Sequence, residues 1–185
     1  MDHWQKRNLA AGITAAIGIV LILIVVISNS HKYRFKRYRN ADKGFSIKYP
    51  FLWSYEENKN GAAVIFSSLR DGNSDFFLEN VNVVVQDLSK KPKELKKYTE
   101  TAIMQMEAVF GESMTVLESE PIHIAGRKGY KFDFLGKTPK DTLHYTSVWV
   151  LDGHTAYQIT YTSLSAQYSK YRSKVKTMIN SFRLE

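Results

Sequence analysis

Residues 142–162 read TLHYTSVWVLDGHTAYQITYT, two long runs of β-branched and aromatic residues on either side of Asp152 and Gly153. An Asp-Gly pair between such runs is the strongest short-range signal for a β-hairpin, because both residues tolerate the left-handed backbone of a tight turn. Alternation along the first run puts Tyr145, Ser147, Trp149 and Leu151 on one face and His144, Thr146, Val148 and Val150 on the other. Both faces carry apolar groups, so this sheet has to be covered on both sides.

The cover can be read on either flank. Downstream, Leu164, Tyr168, Tyr171, Val175, Met178 and Phe182 fall at helical spacing. Upstream, residues 115–125 and 128–135 are extended segments joined by short Gly-bearing turns, which extends the hairpin into an antiparallel meander. Residues 44–50, GFSIKYP, alternate as a half-buried strand closed by proline, with Trp53 and Tyr55 continuing it after a turn. Residues 62–67 and 81–86 are two further strands, and Asp71 to Asp75, DGNSD, is the loop between them. Pro92 opens a helix whose stripe is Leu95, Tyr98, Ala102, Met106 and Val109, with Gly111 as its stop. The expected fold class is α+β: an αβα sandwich on a central antiparallel sheet, preceded by one amino-terminal transmembrane helix.

That helix rests on residues 9–27, nineteen residues without a charge. At about 1.5 Å per residue the run approaches the roughly 30 Å hydrocarbon core of a bilayer. The competing reading is a cleaved export signal, for which Ser28 and Ser30 supply the small side chains. The expected organisation is a tail at 1–8, an anchor at 9–28, a basic aromatic juxtamembrane segment at 29–40 and a globular domain at 41–185. In the juxtamembrane segment Lys32, Arg34, Lys36, Arg37 and Arg39 alternate with Tyr33, Phe35 and Tyr38, the pattern of cations on anionic headgroups among interfacial rings. A plain Lys and Arg count favours the domain on the cytoplasmic face, whereas a short basic tail before an apolar run also begins an export signal.

The net charge of +8 is unevenly spread, with seven Lys and Arg against one acid in residues 1–40 and nineteen against seventeen thereafter. The domain is therefore nearly neutral and has no basic stripe to track phosphates, which argues against nucleic acid as a partner. Cysteine is absent, which excludes disulfides, thiolate metal sites and a Cys nucleophile. There is also no nucleophile elbow, phosphate loop, dinucleotide-binding turn or zinc-protease helix motif, so no catalytic residue and no cofactor is expected. A metal site built from His123, His144 and His154 with Asp133, Asp141 or Asp152 fails on geometry. With Asp152 and Gly153 as the turn, His144 and His154 stand about 23 Å apart along the ribbon. The lysines at 90, 91, 93, 96 and 97 (Lys90, Lys91, Lys93, Lys96, Lys97) form a solvated face that could dock an acidic protein partner.

The order of the segments GFSIKYPFLW (44–53), NVNVVVQDL (80–88), IAGRKGYKFDF (124–134), HTAYQITYTS (154–163) and INSF (179–182) resembles the PsbP family. That family is named for the extrinsic protein of photosystem II, and related to it are the Ran-binding Mog proteins and bacterial periplasmic relatives. The resemblance covers the whole domain and rests on fold motifs. It implies an exported, often membrane-attached accessory or assembly factor with an αβα sandwich. The anchor departs from the family, standing where plant members have a transit peptide and many bacterial members a lipid-bearing Cys. The functional expectation is a non-catalytic, membrane-anchored, extracytoplasmic binding domain, against a hydrolase or metal-binding protein whose site assembles only in space.

Overall fold

The computed structural model describes residues 34–72, 75–90 and 94–185. The expected anchor, Lys32 and the start of the first helix at Pro92 lie outside the described residues. Among those described, no helix is long and apolar enough to cross a membrane.

Among the described residues, ten strands and two helices follow one another. The strands are β1 (Phe35–Asn40), β2 (Phe45–Pro50), β3 (Ser54–Lys59), β4 (Ala62–Ser67) and β5 (Asn80–Asp87), then β6 (Met114–Ile124), β7 (Arg127–Lys137), β8 (Thr142–Asp152), β9 (Thr155–Leu164) and β10 (Arg183–Leu184). Helix α1 (Leu95–Phe110) precedes β6, and α2 (Tyr168–Ser181) precedes β10. Seven strands form one antiparallel sheet in the order β3-β4-β5-β9-β8-β7-β6, and β1-β2-β10 form a small second sheet.

Two compact units divide the chain. The described part of the first is short: Arg34 and Phe35 with residues 50–52, where the Phe51 amide donates to the Arg34 carbonyl at 2.8 Å. The second contains the large sheet, both helices and most of the small sheet.

Within that second unit each face of the sheet has its own core. On one side Trp149, Phe132, Phe134 and Ala156 meet Tyr98, Ala102 and Leu88. Trp149 is fully buried; its indole stacks on Tyr130 at 5.5 Å and its Nε1 donates to Thr99 Oγ1 of α1 at 2.9 Å, which satisfies the polar edge of the largest core side chain. On the other side Ile159, Tyr161, Val83 and Phe66 face Tyr171, Val175 and Met178 of α2, together with Phe45, Ile47 and Tyr49 of β2. Phe45 stacks on Phe182 at 5.6 Å, and Tyr49 on Phe66 at 4.9 Å.

The structure adjusts four expectations. Strand β1 lies inside the stretch assigned to the juxtamembrane segment, so ordered structure begins ahead of residue 41. Tyr38 is buried there against Phe66, at 5.5 Å edge to face. In the β8–β9 hairpin Asp152 pairs with Thr155, so the turn residues are Gly153 and His154 rather than Asp152 and Gly153. Gly153 has φ +57° at the first turn position, as a type II′ turn requires, while Asp152 remains in the ladder with its side chain paired to Arg127 at 2.8 Å. Val109, placed in the apolar stripe of the first helix, is exposed, and Gly111 ends that helix with φ +50°. The described ends of the DGNSD segment behave as a turn, with the Asp71 amide donating to Asp75 Oδ2 at 2.8 Å.

Gly129 of β7 marks the closest approach in the sheet. A Cβ there would stand 2.5 Å from the Trp149 carbonyl oxygen and 2.8 Å from Ile124 Cγ2. Gly129→Ala is expected to destabilise by about 2 kcal/mol or more, because backbone cannot give way as a flexible side chain can. Urea unfolding would read this as a lowered midpoint at constant slope.

Candidate functional site

Pairing of β7 with β8 sets Asp133 opposite Thr146 and Leu135 opposite His144. Asp133, His144 and Thr146 thus share the α2 face, with Asp133 and His144 as diagonal neighbours in reach of each other. His144 Nε2 lies 2.6 Å from Asp133 Oδ1, and the Thr146 hydroxyl donates to the same oxygen at 3.2 Å. From the first turn of α2, Tyr168 brings its hydroxyl within 3.0 Å of Thr146 Oγ1 and donates a long bond of 3.5 Å to Asp133 Oδ2. The Tyr168 ring lies flat on the His144 imidazole, with centroids 3.5 Å apart and planes within 10°. All three strand residues are buried, so the carboxylate has exchanged water for a fixed set of donors.

Charges at the edge of this cluster are neutralised locally. Lys131 bonds Glu118 of β6 and stands 3.9 Å from Asp133 Oδ2. Burial pulls the Lys131 ammonium down, but the bond to Glu118 outweighs it and its pKa is raised. The same bond holds the Glu118 carboxyl below its ordinary value, while Glu120, hydrogen-bonded to Glu118, is pushed up. Burial raises the Tyr168 phenol, against a lowering by the Thr146 hydroxyl.

Beside the cluster a cleft of about 410 Å³ opens between α2 and the β6–β8 part of the sheet. Tyr168 and Thr146 form part of its wall, whereas Asp133 and His144 lie behind that wall. Its floor is apolar, from Ile122, Val148, Val175 and Ile179, and Arg172 and Lys176 of α2 stand at its rim. The volume is within the range of small-molecule sites.

Most residues singled out in the sequence lie elsewhere. Arg34 stands over the Phe51 ring at 5.1 Å, Arg37 donates to Ser46 Oγ at 3.0 Å, Arg39 pairs with Glu185, and Lys36 is exposed. Arg34, Arg37 and Arg39 therefore have partners among the described residues. Lys90, Lys96 and Lys97 are exposed, Lys97 pairing with Glu94 at 3.1 Å, and Lys91 and Lys93 lie outside the described residues. Of the histidines weighed as metal ligands, His144 meets Asp133 directly, His123 borders the cleft, and His154 is in the β8–β9 turn. Among the described residues, no three His, Asp or Glu side chains are grouped to hold a metal ion. Tyr168, Arg172 and Lys176 form one wall of the cleft, which helical spacing alone does not reveal. Spacing places Tyr168 in the core stripe and carries no information about the charges on the last helix.

Among the described residues, two helices and two antiparallel sheets make an α+β fold with a cleft of small-molecule size beneath the last helix. The PsbP family model matches residues 33–184, and the chain belongs to that family. No curated protein matches it in sequence. Among solved structures it is similar to the cyanobacterial PsbP, CyanoP, of Synechocystis, at 15% identity and TM-score 0.60 over 82% of this chain and 92% of that one. It is also similar to LpqN, involved in cell envelope biogenesis of Mycobacterium tuberculosis, at 8% identity and TM-score 0.60 over 82% and 90%. The Ran-binding protein Mog1p of Saccharomyces cerevisiae matches at 11% identity and TM-score 0.57 over 82% and 95%. At these identities the likeness is one of fold.

Two outcomes test the cluster. Asp133→Ala strands the donors of His144, Thr146 and Tyr168 and is expected to cost about 3 kcal/mol. A double-mutant cycle with His144→Ala should return a coupling of about 1 kcal/mol or more. The buried phenols set the alkaline limit: burial pushes Tyr98 up to about 12 and Tyr161 higher still, against about 10 in an unfolded chain. A raised pKa means that stability is intact below pH 10 and lost as pH climbs toward 12. Phenolate absorbance should show these tyrosines titrating only with unfolding.

Proposed function

We propose that this chain is a non-catalytic accessory domain, held at a membrane surface by residues 9–28 and facing the extracytoplasmic side, that binds a partner or small ligand while supporting a membrane protein complex. The observation that carries the reading is the division of chemistry at the cleft. The Asp133–His144 pair is sealed behind Tyr168 and Thr146, and the groups open to a ligand are aliphatic side chains, the cations Lys131, Arg172 and Lys176, and the polar side chains of His123, Thr146, Tyr168 and Asn180. Such a surface suits holding a ligand, and it keeps the directly bonded Asp133–His144 pair out of the ligand's reach. Family membership supports the reading, as does the concentration of net charge in residues 1–40, which fits a polybasic stretch against anionic lipid. The exposed lysines near the start of α1 oppose its helix dipole, a cost in stability that suits a patch reserved for an acidic protein.

A hydrolase or other acid–base enzyme is the competing reading, favoured by the Tyr168 hydroxyl, which reaches the cleft wall while bonded to Thr146 and Asp133.

Cell fractionation tests the proposal. The full chain should sediment with membranes and resist an alkaline carbonate wash, and a chain lacking residues 1–28 should be released. Protease added outside sealed cells should digest the domain, and crosslinking should join it to a membrane protein. Recovery of the intact chain in the soluble fraction, or turnover of an ester or phosphoester substrate that Tyr168→Phe abolishes, would reverse the assignment.

A further inference from the structure

The cleft under α2 has a chemical signature that no relative's name describes. Helix α2, YSKYRSKVKTMINS, carries Lys170, Arg172, Lys174 and Lys176 and no acidic residue. Two of the four have local roles: Lys170 pairs with Asp71, and Lys174 lies 5.3 Å over the Tyr171 ring. Arg172 and Lys176 are one turn apart on the exposed face, both at the cleft rim, and no described carboxylate comes within 4.0 Å of either. The nearby acid, Glu118, bonds Lys131 and feels the charge of Arg172 only at longer range. The rim therefore has two cations with no bonded carboxylate above a floor of Ile122, Val148, Val175 and Ile179. Val148 and Val175 are almost fully buried, so the apolar floor is anchored in the core rather than exposed by chance.

From this arrangement we propose that the cleft binds a small single-headed anionic amphiphile, a carboxylate or phosphate monoester on a short apolar chain. Arg172 and Lys176 grip the head, and the chain lies on the four aliphatic side chains. Arg172 offers the forked donors that match either oxyanion, and Lys176 adds a point charge one turn away. The concave shape and ligand-sized volume favour a small molecule over a peptide, which would use the open edge of β6 instead. The Tyr168 hydroxyl, fixed by Thr146 and Asp133, closes the end of the cleft with a polar group already in place.

The inference rests on the reading of the chain as a binding domain and gives its ligand a chemistry. The full chain in zwitterionic nanodiscs, with labelled Ile and Val methyls, can be titrated with octanoate, octyl phosphate, octanol and inorganic phosphate against empty discs. Octanoate and octyl phosphate should shift the Ile122, Val148 and Ile179 methyls saturably, and the tighter of the two identifies the head as carboxylate or phosphate. Octanol and inorganic phosphate should each bind at least about tenfold more weakly, since each lacks one half of the recognition. Arg172→Ala with Lys176→Ala, both at exposed positions, should weaken the two anionic probes about tenfold or more and leave octanol unchanged. Lys59→Ala, on β3 at the opposite edge of the sheet from β6, should change nothing. Absence of saturable shifts, equal binding of octanol, anionic binding unaffected by the double variant, or displacement of octanoate by an acidic peptide would each overturn the proposal. Probe failure with membrane retention intact removes only the ligand, whereas a soluble native chain removes the accessory-domain reading whatever the probes do.

Discussion

Strands β8 and β9 carry apolar side chains on both faces, and each face must leave water. Trp149, Phe132 and Phe134 on one side and Val148, Ile159 and Tyr161 on the other are almost completely buried. Burial of aromatic area on this scale is the main favourable term for a domain of this size, and no single layer could supply it. Helix α1 covers the first face. The second is wider than one helix, and there α2 shares the work with β1, β2 and β10, joined through Phe45 and Phe182.

The cleft follows from that shared cover. Helix α2 presents Tyr171, Val175 and Met178 to the sheet but reaches only partly over the β6 and β7 end, leaving Ile122 and Ile179 partly exposed beside Val148. Close to this opening the sheet carries polar groups inward: Asp133, His144 and Thr146. A buried carboxylate is tolerable only with its donors assembled, and they come from two strands and one helix. The network therefore ties the first turn of α2 to β7 and β8 and sets the height of the cleft wall.

Much of the architecture was legible in the sequence because it obeys short-range rules. Alternation along residues 142–162, the helical stripe from Tyr168 to Met178 and the stop at Gly111 each reflect local backbone geometry, and each is present. The all-exposed strand β3 lacked an apolar face to read, although Asn60 and Gly61, both at positive φ, marked its turn into β4. Strand β1 was hidden by composition. Its cations resemble a lipid-facing segment, yet Arg37 and Arg39 find partners within the fold and Tyr38 is buried. The candidate site left a weaker trace. With the four-residue loop between Lys137 and Thr142 placed, counting back puts Thr146 opposite Asp133, but nothing local says that Tyr168 arrives above them.

By itself the sequence determined the types of most elements, β1 and β3 apart, together with the two-sided sheet and the family, since periodicity and turn chemistry act over a few residues. The tertiary structure alone decided which polar groups meet: that Asp133 is held by His144, Thr146 and Tyr168, and that Arg172 and Lys176 overhang an aliphatic floor. Those contacts join positions far apart in the chain, and they depend on the register of paired strands and the angle at which a helix lies across them, neither of which is encoded within a single element.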